Sequence, residues 1–367
     1  MKIAFIGDIA FYGKFCQVNN SNLFEYFSDV KKELSKYDFV VGNLETPLVN
    51  DGRKSGSKSA YIFSKVCNVE LLSYLGVNIV NLANNHIFDY GVDGYLSTKK
   101  ALEQAGISWF GTEDKSLLIE HEGEKLAFHG YCSFNTNPLG VRNKKNKLGI
   151  SPLDVDKVID TGRRYQELGY LNIISVHSGI EHINYPSLDD VNFARKLSEI
   201  FPYVYYGHHP HVLQGIEKLN KSLIAYSLGN FCFDDVYDGR SDKPIVVQGD
   251  DNKSSIILSV EINGGEIKHY NFHTIFHMKN KVVLNDSTVS DRLSAYSQYL
   301  TLQEECFLKN RAVQISSIVQ NRNSKRDLEW ALKRLNFSTL QRIYELYLNK
   351  AKYKALFKNK LKDITGN

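Results

Sequence analysis

Six short apolar runs along this chain end in the same way, with a few β-favouring residues giving way abruptly to Gly, Asn, His or an acid. Residues 3–6 precede Gly7-Asp8, residues 39–41 precede Gly42-Asn43-Leu44-Glu45, and residues 77–82 precede Ala83-Asn84-Asn85-His86. Residues 173–176 precede His177-Ser178-Gly179, residues 204–206 precede Gly207-His208-His209-Pro210-His211, and residues 223–226 precede Ser227-Leu228-Gly229-Asn230. Runs this short, rich in β-branched and aromatic residues, predict buried strands. Between them, residues 23–34, 94–105 and 191–200 have helical spacing, so the order is largely β-α-β and the expected class is α/β. In such folds ligands bind beyond the carboxyl ends of the strands, where all six clusters fall. Strand-to-helix turns and caps account for any one polar cluster, whereas six carrying metal-ligand residue types predict one convergent site.

The later pattern differs. Residues 255–262, the turn Asn263-Gly264-Gly265 and residues 267–272 predict a hairpin on the edge of the domain. From about residue 290 the period is helical, with Leu340, Tyr344, Leu348, Ala351 and Ala355 at three- and four-residue steps behind Ser338 as an N-cap. The expected division is a main domain over residues 1–285 and a basic helical appendage over residues 286–367. Residues 143–147 and 239–253 read as surface loops near the site entrance.

Composition narrows the class. The 367 residues are 43% hydrophobic and 23% charged, enough for a full core. The few apolar residues before Gly7 fall short of a secretory segment, and no run approaches the roughly 18 apolar residues of a membrane helix, so a soluble cytoplasmic protein is expected. The five cysteines are odd in number, widely spaced and without Cys-x-x-Cys, which argues against a disulfide framework and a zinc ribbon. The net charge of +4 conceals an asymmetry: residues 281–367 hold 16 Lys/Arg against 8 Asp/Glu, a tail of +8 against −4 for the rest.

The residue types at the strand ends are those of a two-metal hydrolytic site, which needs carboxylates, imidazoles and at times an Asn carbonyl around two cations. Asp8, Glu45, Asn85, His177, His209 and His211 form the expected inner set, with Asn43 in reserve. Side chains two apart in an extended segment leave on the same side, so His209 and His211 would converge while His208 turns away into a structural role. His86 would meet the reacting oxygen as electrophile or general acid, and Asp89 would orient it. Glu181 and Asn230 are candidates for substrate contact, and His182 for a supporting role. His269, His273 and His277 recur every four residues, but on a hairpin strand they are not expected to form a second metal site. Oxygen and nitrogen ligation without sulfur suits Mn²⁺, Zn²⁺ or Fe.

Over about residues 1–235 these motifs resemble the CapA, or poly-gamma-glutamate capsule synthesis protein, branch of the calcineurin-like metallophosphoesterases. The resemblance rests on Gly7-Asp8, Gly42-Asn-Leu-Glu-Thr-Pro47, Ala83-Asn-Asn-His86 with Asp89-Tyr-Gly91, His177-Ser-Gly-Ile-Glu181, Gly207-His-His-Pro-His211 and Ser227-Leu-Gly-Asn-Phe231. It implies a four-layer α-β-β-α sandwich, two divalent cations, and hydrolysis of a phosphoester or related bond in a capsule or cell-surface polymer pathway. By the same resemblance Asp8 matches the first-motif aspartate, Asn85-His86 the pair of metal ligand and catalytic imidazole, and His177 the isolated fourth-motif histidine. His209 and His211 match the closing pair, one ring on each metal.

Two departures stand out. Where the superfamily reads Asp-x-His, Asp8 is followed by Ile9-Ala10, and the bridging aspartate aligns with the neutral Asn43, leaving Glu45 two residues on as the favoured bridge. A non-catalytic metal-binding accessory subunit of a polymer synthesis or export complex is the alternative. The expected partner is a phosphorylated or polyanionic cell-surface polymer or its precursor. The lysines of residues 350–362 would either touch an anionic membrane surface or form the solvated face of a helix. No nucleic-acid module accompanies the charge.

Overall fold

The computed structural model describes residues 1–58, 60–141, 148–237, 243–323 and 337–366. Its strands are β1 (Lys2–Ile9), β2 (Phe39–Leu44), β3 (Ile79–Asn81), β4 (Ser108–Phe110), β5 (Leu117–His121), β6 (Glu124–Cys132) and β7 (Leu171–His177). They continue with β8 (Tyr203–His208), β9 (Ile216–Leu219), β10 (Ser222–Ala225), β11 (Asn230–Cys232), β12 (Ser254–Asn263), β13 (Glu266–His277) and β14 (Val282–Leu284). One sheet runs β14-β13-β12-β1-β2-β3-β4 with β11 also against β1, and the other runs β5-β6-β7-β8-β10-β9.

The helices are α1 (Leu23–Tyr26), α2 (Ser28–Leu34), α3 (Val69–Leu75), α4 (Gly91–Gln104), α5 (Val155–Glu167) and α6 (Leu188–Ile200). After the last strand come α7 (Ser287–Tyr299), α8 (Glu304–Asn323), α9 (Phe337–Tyr353) and α10 (Asn359–Thr365), the last two joined by a π-turn over Lys354–Lys358.

The alternation of side chains along each strand builds four layers. On β1, Ile3 and Phe5 enter a core between the sheets with Val204 and Tyr206 of β8, whereas Ala4 and Ile6 point outward to Phe27, Val30 and Leu72 of the first helical layer. On β8, Tyr203 and Tyr205 face away from that central core and meet Val158, Phe193, Phe357 and Leu361 of the second helical layer. Strands buried on both faces have no polar side to show, which is why they read as continuous apolar runs. The α-β-β-α sandwich is thus the observed architecture, and all six expected strands are present.

Three local differences have clear causes. The hairpin β12–β13 is not at the sheet edge: β12 lies beside β1, with β14 paired outside β13. Residues 23–34 form two short helices divided at Phe27, whose buried ring fills the core between them. Ser338 lies inside a helix described from Phe337. The C-terminal helices pack onto the sandwich, with Val289, Leu293 and Tyr296 of α7 in the central core and Phe357 and Leu361 on the outer layer. Residues 143–147 and 239–242 of the two expected loops lie outside the described residues.

Candidate metal centre

Two glycines let the strand ends converge. A Cβ at Gly7 would stand 2.0 Å from the Gly229 carbonyl oxygen, and one at Gly207 would stand 1.9 Å from that of Tyr226. Only glycine permits so close a backbone approach, and it draws the ends of β1 and β8 against the segment leading into β11. Asp8 there lies in register with Asn43 on one side and Asn230 on the other.

Asp8 is fully buried. Its Oδ1 accepts from Asn43 Nδ2 at 2.8 Å and lies 3.0 Å from His208 Nδ1, while Oδ2 lies 3.3 Å from His211 Nδ1 and accepts from the His209 amide at 3.3 Å. Burial alone would raise this carboxyl, but His208 and His211 hold it well below its ordinary value. Asn43 is committed on both ends: its Oδ1 accepts from Asn81 and Asn84 at 3.2 and 3.3 Å.

Glu45, just beyond β2, is different. Both its oxygens are buried and neither has a hydrogen-bond partner, while Oε1 stands 3.7 Å from His177 Nε2 and 3.7 Å from His211 Nε2. Burial raises this carboxyl well above its ordinary value and Asp8 adds to the effect, with His211 opposing. Its atoms complete two groups whose ligand atoms all lie within 4.8 Å of one another, Glu45–His177–His209 and Asp8–Glu45–His211. Glu45 is common to both.

The imidazoles are oriented from behind. His177, the last residue of β7, has Nε2 2.9 Å from Asn85 Oδ1, and the Asn85 amide nitrogen donates to the Thr136 carbonyl at 3.4 Å, which fixes that carbonyl toward the cluster. His211 has Nδ1 3.0 Å from Asn230 Oδ1, so Nε2 is the nitrogen turned to Glu45. Burial lowers His177, with His209 adding to it, and lowers His209 to about 3, so both are neutral, as metal ligation requires. For His211 burial is outweighed by Glu45 and Asp8, which raise it to about 10, so without a cation this ring holds a proton that an ion bound beside the two carboxylates would displace. The two buried Glu45 oxygens that find no protein partner, with His177 Nε2 turned to them and a ring nitrogen of His209 in the same group, are a donor set a divalent cation satisfies, so the residues present fit the group.

The His-x-His geometry is reached by an unexpected route. β8 ends at His208, and His209 and His211 have φ of 93° and 57° in a left-handed turn. Both rings face the cluster because the backbone turns there, not because a strand alternates. His208 remains on the strand, but its ring does not turn away as alternation predicts: its Nδ1 lies 3.0 Å from Asp8 Oδ1, at the edge of the cluster.

His86 and Asp89 follow Asn85 in the turn before α4. His86 Nδ1 is 2.7 Å from Asp89 Oδ2, and Asp89 is tied by the Ile62 amide at 2.9 Å. Lys58, which no motif pointed to, joins them: its Nζ donates to the Asn85 carbonyl at 2.6 Å and to Asp89 Oδ1 at 2.8 Å and lies 3.0 Å from His86 Nδ1. Burial lowers the His86 imidazole, Lys58 reinforces this and Asp89 opposes it, leaving a neutral ring.

A cavity of about 550 Å³ opens on Asn85, His86, Glu181 and His211. Asn230 is buried behind His211, where its amide also donates to Gln248 and to the Asn252 carbonyl, and it is not among the cavity-lining residues. His182 lines the cavity with its Nδ1 2.8 Å from Asn252 Nδ2. His277 is buried under Tyr26 and Phe231, and His273 meets Glu33 and Asn285, so these two of the three β13 histidines point to separate partners.

Two stacked sheets between helical layers, with a motif-bearing polar cluster at the strand ends, define an α/β sandwich protein with a candidate metal centre. Residues 2–235 match the family described as bacterial capsule synthesis protein PGA_cap, and the chain belongs to it. It is 27% identical over 276 residues to "Capsule biosynthesis protein CapA" of Bacillus anthracis, an alignment covering 72% of this chain and 67% of that one. It is 28% identical over 259 residues to "PGA biosynthesis protein CapA" of Bacillus subtilis (strain 168), covering 67% of each. Among solved structures, a 5'-nucleotidase precursor from Thermus thermophilus aligns with a TM-score of 0.44 at 12% identity, covering 82% of this chain and 59% of that one. No helix of the described residues is long and apolar enough to cross a membrane.

Proposed function

We propose that the chain is a metal-dependent hydrolase, phosphoesterase-like, acting in the biosynthesis of a capsule or other cell-surface polymer. The single observation that carries this reading is Glu45: a buried carboxylate with both oxygens unpaired, shared by two adjoining groups of ligand atoms. Leaving such a group without a partner costs free energy unless a cation is its partner. In this reading His177, His209 and Glu45 hold one divalent ion, with Asn85 beside them, and Asp8, Glu45 and His211 hold the other. Asn43 is the strut that aims Asp8, and Asn230 aims His211. Mn²⁺, Zn²⁺ or Fe fits these ligands.

When bound, such ions supply Lewis acidity and lower the pKa of water. The chain's own part is positional. With Nδ1–H of His86 donating to Asp89 beside Lys58, the bare Nε2 is the nitrogen left to face a reacting oxygen in the cavity; it takes up a proton from the attacking water and passes that proton to the leaving group. Lys58 and Asp89 keep the ring from rotating, and Glu181, which lines the same cavity, is the candidate for substrate contact.

The second reading, a metal-binding accessory subunit without turnover, draws support from the Asp8 group. One oxygen of Asp8 is already engaged by Asn43 and His208, which leaves few donors for the second ion. The purified chain should hydrolyse p-nitrophenyl phosphate or its diester, lose that activity to a chelator and regain it with Mn²⁺ or Zn²⁺. Undiminished turnover in chelator would refute the metal-dependent reading, and tightly held metal without turnover on any such ester would favour the accessory one.

A further inference from the structure

Residues 178–187, the loop from β7 to α6, are held on two sides, and the two sides belong to different parts of the chain. Inward the loop meets the metal centre. The Ser178 amide donates to the His208 carbonyl at 3.1 Å and the His182 amide to the Pro210 carbonyl at 2.7 Å, which ties the loop into the left-handed turn that presents His209 and His211. Beyond that turn the Asn184 side-chain amide donates to the Leu213 carbonyl at 3.0 Å, and the Gln214 side chain returns a bond to the Ile183 carbonyl at 2.8 Å. All four bonds join the loop to the segment that carries two of the candidate ligands.

Outward the same loop is gripped by helices from the far end of the sequence. Tyr185 stacks on Tyr299 of α7 with ring centroids 4.1 Å apart and planes 3° from parallel, and it meets Phe307 of α8 edge-on at 5.4 Å. The Arg311 guanidinium of α8 donates to the Tyr185 carbonyl at 3.4 Å. Gln314 of α8 forms a two-way pair with Asn184, accepting from its backbone amide at 3.0 Å and donating to its side-chain oxygen at 2.7 Å. The buried side chain of Asn184 thus has one end on α8 and the other on Leu213, and it joins the C-terminal helices to the histidine turn within a single residue. The loop is not in a conformation of its own preference: His182 has a φ of 65°, in the left-handed region that residues other than glycine seldom occupy. Such a backbone persists where the surroundings over-determine it, and here the inward bonds engage His182 while the C-terminal contacts fix Asn184 and Tyr185 just after it.

We propose that α7 and α8 clamp this loop at Asn184 and Tyr185 and so hold the turn bearing His209 and His211 in its metal-binding shape, with Gln314 as a positioning residue that acts through Asn184. This rests on the metal-centre reading above. It gives helices outside residues 2–235, the part matched by the family, a role in the centre as well as in stability.

The test compares Gln314→Ala and Tyr299→Ala with Leu34→Ala, which opens a void in the first helical layer and lowers stability away from the loop. Mn²⁺ binding to the full chain is measured by calorimetric titration, and hydrogen exchange is followed over residues 178–187 and 207–213. Gln314→Ala strands the Asn184 amide and side-chain oxygen and should weaken Mn²⁺ binding about threefold or more, with faster exchange in both segments. Tyr299→Ala should act in the same direction, whereas Leu34→Ala should lower Tm and leave Mn²⁺ affinity and exchange in both segments as in the parent. If Tyr299→Ala does not fold, Gln314→Ala decides alone, since its half-buried side chain leaves no core void. The proposal is overturned if Gln314→Ala binds Mn²⁺ as tightly as the parent, or if Leu34→Ala weakens binding equally. A parent that takes up no Mn²⁺ sinks the metal-centre reading by itself; faster exchange over residues 207–213 in Gln314→Ala would then still support the coupling, and unchanged exchange would overturn it as well.

Discussion

Glu45→Gln keeps the shape of the side chain and removes only its charge, so it isolates what a shared carboxylate does. Because Glu45 belongs to both ligand groups, whereas Asp8 belongs to one and His209 to the other, a substitution at Glu45 should differ in stoichiometry from one at His209. After equilibration with Mn²⁺ and dialysis, the parent should retain two ions per chain by plasma mass spectrometry, His209→Ala about one, and Glu45→Gln none. Losing an outer partner of a ligand typically costs ten- to a hundredfold in metal affinity, so losing a shared anionic ligand should cost at least about a hundredfold. Melting gives a second readout. Metal at a hundred times its Kd stabilises the folded state by about 2.7 kcal/mol. With an unfolding entropy of roughly 2.1 cal/mol/K per residue over 367 residues, that corresponds to a rise of about 3–4 °C in Tm. A hundredfold weaker variant at the same metal concentration gains only about 0.4 kcal/mol, or about 0.5 °C. If Glu45→Gln keeps two ions and the full thermal shift, Glu45 is not a shared ligand and the reading of the centre fails.

Three further outcomes follow from groups outside the ligand set. Burial lowers His129 to about 4 from an ordinary 6.5, so below pH 6.5 the unfolded chain takes up a proton that the folded chain refuses; stability is intact above that value and drains away as pH falls toward 4. Between pH 7.5 and 5 this amounts to about 2 kcal/mol, and His129→Gln should show a correspondingly smaller drop in urea midpoint over that range; an equal drop would exclude His129 as the source. Lys58→Ala leaves the buried Asp89 carboxylate short of its cationic partner and should cost about 3 kcal/mol in denaturant unfolding together with a fall in kcat; a loss under 1 kcal/mol would show that the pair is dispensable. Phe357→Ala opens a void at a side chain only 1% exposed and should cost about 3–5 kcal/mol, seen as faster protease cleavage within α9; unchanged cleavage would mean the helix is held by other contacts.

The fold was legible because its central strands are buried on both faces, and a run such as residues 173–176 therefore has only one way to be covered. The polar clusters at the strand ends stood out for a related reason: after such a run, a sudden Gly-His or Asn-His has no packing role to fill. Sequence favoured Glu45 over Asn43 on charge alone, since it does not reveal that the amide is tied by Asp8, Asn81 and Asn84 while the carboxylate is left open. Lys58 sits in a Gly/Ser/Lys loop without period and reaches Asp89 only through the tertiary path of that loop. The turn at His209 was hidden because a positive φ at a non-glycine residue leaves no compositional mark. The edge position expected of the β12–β13 hairpin failed because local turn chemistry says nothing of which strand lies beyond.

That hairpin has a kinetic side. β12 pairs with β1 from Lys2↔Glu261 to Ile6↔Ile257, closing a span of more than 250 residues. Contacts so distant in sequence must first offset a large loss of chain entropy, and they form slowly. The strand carrying Asp8 therefore acquires its second neighbour only after every other strand of the polar cluster has been made, and a nascent chain presents its histidines and carboxylates well before they are rigidly arranged. The polar cluster at the strand ends is then a centre that completes itself late.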